Sequence, residues 1–440
     1  MRRALLALAP LVLAACAGPA ASSSLHPVAT RTSAITARVR EERVKGNVVT
    51  LVSFGTRHTL SDATSKTRGI GAARDFIASE LARIPGVEVA RLAYVIPADG
   101  KRIPRDTELV DVAGTLRGSM PEASGRLYVV VGHYDSRVAD VMDATSDAPG
   151  ANDDASGVAV LLELARVLAG SKLEASVVFL ATAGEEQGLY GAQAFAKAAS
   201  EQHLDVRAVL NDDIVGDPSD PAGGRHADAI RVFSLGLPPH ATEAEVAAIR
   251  KNAAESDSPS RELARFVAAV AQEERSELAP RLIFRSDRFL RGGDHLAFVE
   301  AGFPAAIRFT TVAETFARQH AATDVADFVD GAYLARVARL EAAVLVHLAN
   351  APSSPGGATI DTSQLANDTA LRWSASPEPD VAGYEVVWRA TTEPTWTHVV
   401  DVGARLTARL PVSKDDALFG VRAYDHDGWR SPATFAVADK

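Results

Sequence analysis

Between residues 127 and 348 the chain alternates short, β-branched, mostly apolar runs with longer stretches of helical periodicity. The runs fall at 127–131, 177–181, 206–210, 229–235 and 305–309, and the helical patterns at 154–168, 189–199 and 324–348. A strand that is apolar on both faces needs cover on both, and parallel neighbours need a crossover that a helix supplies. The rhythm therefore predicts an α/β fold, a three-layer sandwich with a mostly parallel central sheet. A helical pattern over 69–84, with Ala72, Phe76, Ile77 and Leu81 on one face, precedes it. The charged stretch 238–277 interrupts the rhythm with a helix of its own near 260–274, and is expected to cap the sheet edge and contribute pocket loops.

At 351–357 the sequence APSSPGG reads as a linker, and the chain changes character beyond it. Trp373, Trp388, Trp396 and Trp429 are all found there, among short runs at 370–373, 383–389, 397–402, 407–410, 418–424 and near Phe435. Runs of this length with alternating faces predict a small all-β sandwich. Trp373 early in the unit, with Tyr384 and Tyr424 in two facing strands, resembles a fibronectin type III domain. The resemblance implies a binding or spacing unit over 358–440, with a protein or glycan contact, behind a larger unit over 33–350.

At the N-terminus Arg2 and Arg3 precede an apolar run from Ala4 to Ala15, too short to span a bilayer and shaped like an export signal. Cys16 follows Leu13, Ala14 and Ala15, which resembles the lipobox of bacterial lipoproteins. The expectation is a lipoprotein signal peptide over 1–16 and a flexible tether over 17–32. The mature chain is then exported, lipid-anchored through Cys16 to a bacterial outer membrane facing the periplasm, or otherwise secreted. Ala17, where aspartate would retain a lipoprotein in the inner membrane, points to the outer one.

Cys16 is the single cysteine, which excludes an intramolecular disulfide and a four-thiolate metal site. A formal charge of -10 without a concentrated basic block argues against nucleic acid as a partner. Any metal centre must therefore be built from imidazoles and carboxylates. Five segments supply them where an α/β fold places its site, just past strand ends. VVVGHYDS carries His133 and Asp135, PGANDDASG carries Asp153 and Asp154, and FLATAGEEQGLYG carries Glu185 and Glu186. LNDDIVG carries Asp212 and Asp213, and RFTTVAETFARQH ends on His320. Nitrogen and oxygen donors suit zinc or a similar divalent ion. Two such ions need a bridging carboxylate and terminal ligands, and a further carboxylate can act as base.

In that order and placement, the segments are similar to those of the M28 zinc aminopeptidases, over roughly residues 45–350. The resemblance implies a zinc-exopeptidase fold and two zinc ions per chain. His133 and Asp213 would hold one ion, Glu186 and His320 the other, and Asp153 would bridge them. Glu185 would be the general base, and Asp135 would orient His133 from behind. Asp153 is preferred to Asp154 because the family's bridging residue lies three before the serine of the SG pair, here Ser156. Asp213 is preferred to Asp212 because it matches the aspartate of the family's N-x-D-M-I-G stretch. The chain departs from the pattern at Gly191–Ala192, where relatives often have Gly-Ser. The implied reaction is hydrolysis of the first peptide bond of peptides with a free N-terminus.

Rival readings stand beside these. His295, in RFLRGGDHLAF, competes with His320 as the second imidazole, or lines the pocket, or packs behind a capping Asp294. Arg291 would meet a substrate carboxylate or be solvated, and His58 reads as structural. His203, His226, His240 and His347 read as surface residues, and Asp154 as an alternative helix cap. The same fold also carries glutaminyl cyclases, carboxypeptidases and dipeptidases. A binding protein on a retained hydrolase fold would show a lost ligand or base, and none is lost.

Overall fold

The structure, a computed structural model, describes residues 27–439. The expected signal peptide with Cys16 lies outside the described residues, as does the tether up to residue 26. In chain order the larger unit has α1 (Pro27–Thr36), α2 (Glu41–Val52), α3 (Gly69–Ala82), β1 (Val87–Ile96), β2 (Thr107–Leu116), β3 (Arg126–His133) and α4 (Ala155–Leu168). It continues with β4 (Ser176–Thr182), α5 (Glu185–Gly188), α6 (Tyr190–Glu201), β5 (Asp205–Asp212), β6 (Ala229–Ser234), α7 (Glu243–Lys251) and α8 (Pro259–Glu273). It closes with β7 (Ala279–Ile283), α9 (Asp294–Glu300), β8 (Ala306–Thr311) and α10 (Gly331–Asn350).

The eight strands form one mixed sheet in the order β1-β2-β4-β3-β5-β8-β6-β7. Its centre, β4-β3-β5-β8, is parallel throughout, whereas β1 and β2 add antiparallel strands at one side and β6 meets β8 antiparallel. The central strands are apolar on both faces because both are covered. Val129, Val131, Leu180 and Val209 pack toward α6 and α9, and Tyr128, Val130, Phe179 and Leu210 toward α2, α3, α4 and α10. The three-layer α/β sandwich predicted from the sequence is the fold observed. From β3 the chain crosses to β4 on one side, then returns past β3 to β5 on the other. That reversal opens a crevice at the strand C-termini between β3 and β5, the usual ligand position in such sheets.

Local chemistry fixes the elements around this crevice. Asp154 caps α4 by accepting the Gly157 N–H at 2.9 Å. Ser156 donates to the Asn152 carbonyl at 2.7 Å and accepts the Val215 N–H at 3.1 Å, docking the start of α4 on the loop after β5. A Cβ at Gly157 would lie 2.6 Å from the Asp212 carbonyl oxygen, so this close approach of helix to strand requires glycine. α10 begins at Gly331, capped by Asp330, rather than at 324, which leaves Asp324 free for a loop role.

Beyond α10 two four-stranded sheets face each other. One is β13-β10-β9-β16, from β9 (Gly356–Ile360), β10 (Thr369–Ser374), β13 (Thr407–Leu410) and β16 (Val437–Ala438). The other is β12-β11-β14-β15, from β11 (Val381–Ala390), β12 (His398–Gly403), β14 (Ala417–Asp425) and β15 (Thr434–Phe435). Leu371, Trp373, Tyr384, Val386, Phe419 and Val421 fill the space between them. This is the small all-β sandwich expected.

Several readings are corrected. Residues 27–32, assigned to a flexible tether, belong to α1, whose Val28, Thr32 and Ile35 are buried. The linker 351–357 overlaps β9, and its Ser353 and Ser354 hydroxyls are bonded to Glu378 and the Pro432 carbonyl. β1, β2 and β7 went unread because strands toward the sheet margins keep polar residues among their apolar ones, such as Glu88 and Arg91 in β1. The segment 238–277 folds as α7 and α8, and α8 packs on the sheet beside β7 while holding the sandwich. Arg389 pairs with Asp257 at 2.6 Å, and Glu262 accepts from Trp396 Nε1 and the Ala433 N–H. Trp429 leaves the sandwich core to meet His347 of α10 edge-on at 5.0 Å, so His347 is buried rather than a surface residue.

Candidate metal centre

Four parallel strands deliver the side chains. β3 ends on His133, and the loop from β3 to α4 carries Asp135 and Asp153. β4 runs into Glu185 and Glu186 at the head of α5, β5 leads to Asp213, and the segment after β8 brings His320. His133 Nε2 lies 3.3 Å from Asp153 Oδ1 and 4.0 Å from Asp213 Oδ1. His320 Nε2 lies 3.3 Å from Asp153 Oδ2 and 3.2 Å from Glu186 Oε2. The two oxygens of Asp153 therefore face different imidazoles. Two groups of donors result, His133 with Glu185 and Asp213, and Asp153 with Glu186 and His320, each within 4.8 Å.

These residues fit a pair of zinc ions. Donors around a tetrahedral ion with bonds of ~2.0–2.1 Å stand about 3.3 Å apart, and three of the four separations above are 3.2–3.3 Å. His133 Nε2 and Glu186 Oε1 are buried without a hydrogen-bond partner. That would cost free energy in a site made only of protein. The electrostatics agree. Burial opposes charge on His133, but Glu185, Asp135 and Asp153 outweigh it and hold the imidazole well above its usual range. Burial likewise opposes charge on His320, yet Asp153 and Glu186 push it up to about 9. So many carboxylates around two imidazoles demand cations. A third group, Glu174, Asp380 and Asp425, lies away from this crevice and has no imidazole.

A supporting layer holds the donors in place. The Asp135 carbonyl oxygen is 3.2 Å and its Oδ1 3.5 Å from His133 Nδ1. Its carboxylate also accepts the Glu185 and Glu186 N–H groups at 3.2 Å and the Thr59 hydroxyl at 2.7 Å. Asp324 accepts the N–H of Asp153 at 3.0 Å. Arg57 donates to the carbonyls of Tyr134 at 2.8 Å and Gly150 at 2.9 Å, spanning the loop that carries Asp153. Arg137 donates to Glu186 Oε2 at 2.9 Å. Burial, with Glu186, Asp213 and Asp294 adding to it against His133, holds Glu185 well above the usual carboxylate range.

All seven residues singled out in the sequence, His133, Asp135, Asp153, Glu185, Glu186, Asp213 and His320, meet in this crevice. The rivals do not join them. Asp154 faces the Gly157 and Ile214 N–H groups, and Asp212 is buried beside Glu341 of α10. His295 Nε2 meets the Ser286 carbonyl at 2.9 Å, and the His295 backbone N–H donates to Asn211 Oδ1 at 3.0 Å. His58 is structural as read, with Nε2 3.0 Å from the Val141 carbonyl. Arg57, Arg137, Arg308, Glu314 and Asp324 went unread. Each acts across a long chain separation, and no local spacing announces it.

Arg308 is the most telling of these. Fully buried, its Nη1 sits 2.7 Å from Asp213 Oδ2 and 3.5 Å from Asp287 Oδ2, and donates to the Gly292 carbonyl at 2.7 Å. Removing one partner of a buried charge group strands the others. Arg308→Met is therefore expected to destabilise the metal-free protein by about 3–5 kcal/mol, read as a lower urea midpoint. An unchanged midpoint would show that Asp213 and Asp287 do not depend on it.

The cleft over the two groups has a volume of about 260 Å³ and is walled by Arg102, Arg137, Leu189, Arg288, Leu290 and Arg291. Nothing from 238–277 lines it, contrary to expectation. That segment instead borders a larger cavity of about 500 Å³ near Arg126 and Arg207 at the opposite ends of the strands.

Fold and site together define a zinc-dependent exopeptidase class, a parallel α/β sheet with two imidazole–carboxylate clusters at its switch point. Residues 111–345 match peptidase family M28, and the chain belongs to that family. A protein of Leptosphaeria maculans named "Probable zinc metalloprotease" is 46% identical over 416 residues, covering 91% of this chain and 96% of its own. Among solved structures, the Legionella pneumophila LapA aminopeptidase superposes with a TM-score of 0.51 at 18% identity, over 75% of this chain and 78% of its own. A Porphyromonas gingivalis glutaminyl cyclase gives 0.50 at 19%, over 70% and 98%. Both likenesses concern the fold alone.

These relatives correct the reading of origin and location. Seven of them, 34–46% identical, are fungal proteins. Fungal cells have no bacterial outer membrane, so the expected bacterial lipoprotein anchored there through Cys16 is overturned. An apolar run ending at a cysteine is too short a motif to carry that conclusion alone. Among the described residues no helix is long and apolar enough to cross a membrane.

Proposed function

We propose that the protein is an aminopeptidase, removing the first residue from peptides with a free N-terminus. The observation that carries this is Asp153, whose two carboxylate oxygens stand 3.3 Å from the imidazoles of two separate donor groups with Glu185 beside the first. His133 and Asp213 would hold one ion, Glu186 and His320 the other, with Asp153 shared. When bound, such ions supply Lewis-acid polarisation of a carbonyl and acidify water. Glu185 takes the proton of the attacking water and hands it to the leaving amine. Asp135 fixes the imidazole of His133 and, through two backbone N–H bonds, the start of the turn that bears Glu185. The catalytic unit runs through α10, and the sandwich after it is a fibronectin type III-like unit without donors to the site.

Mass spectrometry of a mixed peptide library tests the reading, with N-terminal glutamine peptides and N-acetylated controls included. Loss of single first residues from free peptides, with acetylated ones untouched, is the expected result. Loss of ammonia from glutamine peptides without shortening would replace it by cyclase chemistry, and trimming from the other end by a carboxypeptidase.

A further inference from the structure

The arginines of the cleft have donors to spare. Arg291 uses Nη1 alone, on Glu314 Oε2 at 2.9 Å and Gln319 Oε1 at 2.6 Å, while its Nε and Nη2 make no hydrogen bond. Its guanidinium lies 4.6 Å over the Phe316 ring and its side chain is 28% exposed, so it is held in place yet open to the cleft. Arg137 spends Nε on Glu186 and Nη1 on the Val138 and Ala139 carbonyls, which leaves Nη2. Arg102 spends Nη1 on the Glu186 carbonyl at 2.9 Å, which leaves Nε and Nη2. Arg288 differs, since Asp287, Glu314 and the Gly292 carbonyl take all three of its nitrogens.

Charge points the same way. Asp287 pairs with Arg288 and Arg308, and Glu314 serves the remaining arginines of that wall. Burial alone would raise it, but Arg288 and the other cations around it hold it down to about 2. It is shared by Arg231, Arg288 and Arg291. Arg102, Arg137 and Arg291 thus stand together on the cleft wall with donors unspent. A wholly apolar substrate would cover these guanidinium groups without pairing them, at a cost.

We propose that the cleft selects substrates that carry a carboxylate close to the scissile bond, received by Arg291 with Arg102 and Arg137. The inference rests on the aminopeptidase reading and narrows it. Two sources offer that chemistry, an acidic side chain on the first residue and the terminal carboxylate of a very short peptide.

Two substrate pairs separate them: glutamyl against leucyl p-nitroanilide, and leucyl-glycine against its C-terminal amide. In at least one pair kcat/KM of the carboxylate-bearing member is expected to exceed its partner by about tenfold or more, the scale of a charge-assisted bond. The pair that shows it names the source. Arg291→Gln is expected to collapse that ratio, and Arg102→Gln to reduce it. Arg291→Gln leaves Glu314 paired with Arg231 and Arg288, and Arg102 is exposed, so neither change strands a buried charge. Calorimetric binding of glutamate against leucinamide, and of leucyl-glycine against its amide, to the metal-loaded Glu185→Gln protein should show the same order without turnover. Equal values within both pairs, or ratios untouched in both arginine variants, overturn the inference while leaving the peptidase standing. No hydrolysis of any free peptide overturns the reading beneath it.

Discussion

Glu185→Gln is expected to lower kcat by about 10²–10⁴-fold, the scale of a lost general base, with metal content unchanged at about two ions per chain by elemental analysis. The substitution keeps the shape of the side chain and removes its capacity to take a proton. Glu185 shares a donor group with His133 and Asp213, so the geometry by itself admits it as a ligand as well as a base. The two roles separate cleanly in this variant. A base lost leaves the ions in place and the rate gone, whereas a ligand lost releases an ion together with the rate. Near-normal turnover would remove Glu185 from the chemistry altogether. Asp135 accepts the Glu185 N–H whatever its side chain is, so the turn should hold and the comparison should be free of local unfolding.

Asp153→Asn should have the widest effect of any single change at the site. One carboxylate faces both imidazoles, so the substitution takes a negative oxygen from both donor groups and turns an amide N–H₂ toward one of them. Its charge matters as much as its reach. The bonds from His133 and His320 outweigh burial and hold Asp153 well below the usual carboxylate range. Metal content is expected to fall below one ion per chain and activity by at least about 10³-fold, since the base and the polarising charge are both lost from use. A ligand that binds only the native state stabilises it, so the thermal stabilisation that added zinc gives the wild-type protein should also disappear. Two retained ions would show that His133 with Asp213 and His320 with Glu186 suffice as separate sites, and that Asp153 does not bridge.

The seven residues that meet in the crevice were legible because they follow strand ends, and strand ends are written locally. A buried parallel strand is a continuous apolar run, so the first acidic residue or histidine after it stands out, as His133 does after 127–131. The choice of Asp153 over Asp154 came from family spacing. The structure supplies a physical counterpart, because Asp154 is committed to capping α4. What stayed hidden was the layer behind. Asp324 reads as the start of a helix, yet it holds the Asp153 N–H from 171 residues away. The cysteine at 16 misled for the opposite reason, since a short local pattern was made to carry a conclusion about the whole cell.

The sequence by itself determined the α/β alternation, the all-β unit after it and the identity of the groups that converge, because each depends on periodicity or on residues within a few positions of a strand end. Only the tertiary structure decided what surrounds them. It turned Trp429 onto His347, placed 238–277 far from the cleft, buried Arg308 behind Asp213 and gathered Arg102, Arg137 and Arg291 around one opening. These are contacts between segments distant in the chain, set by which faces pack together. A residue's charge is a property of the sequence, but the partner left over to receive a substrate is known only once every other partner has been assigned.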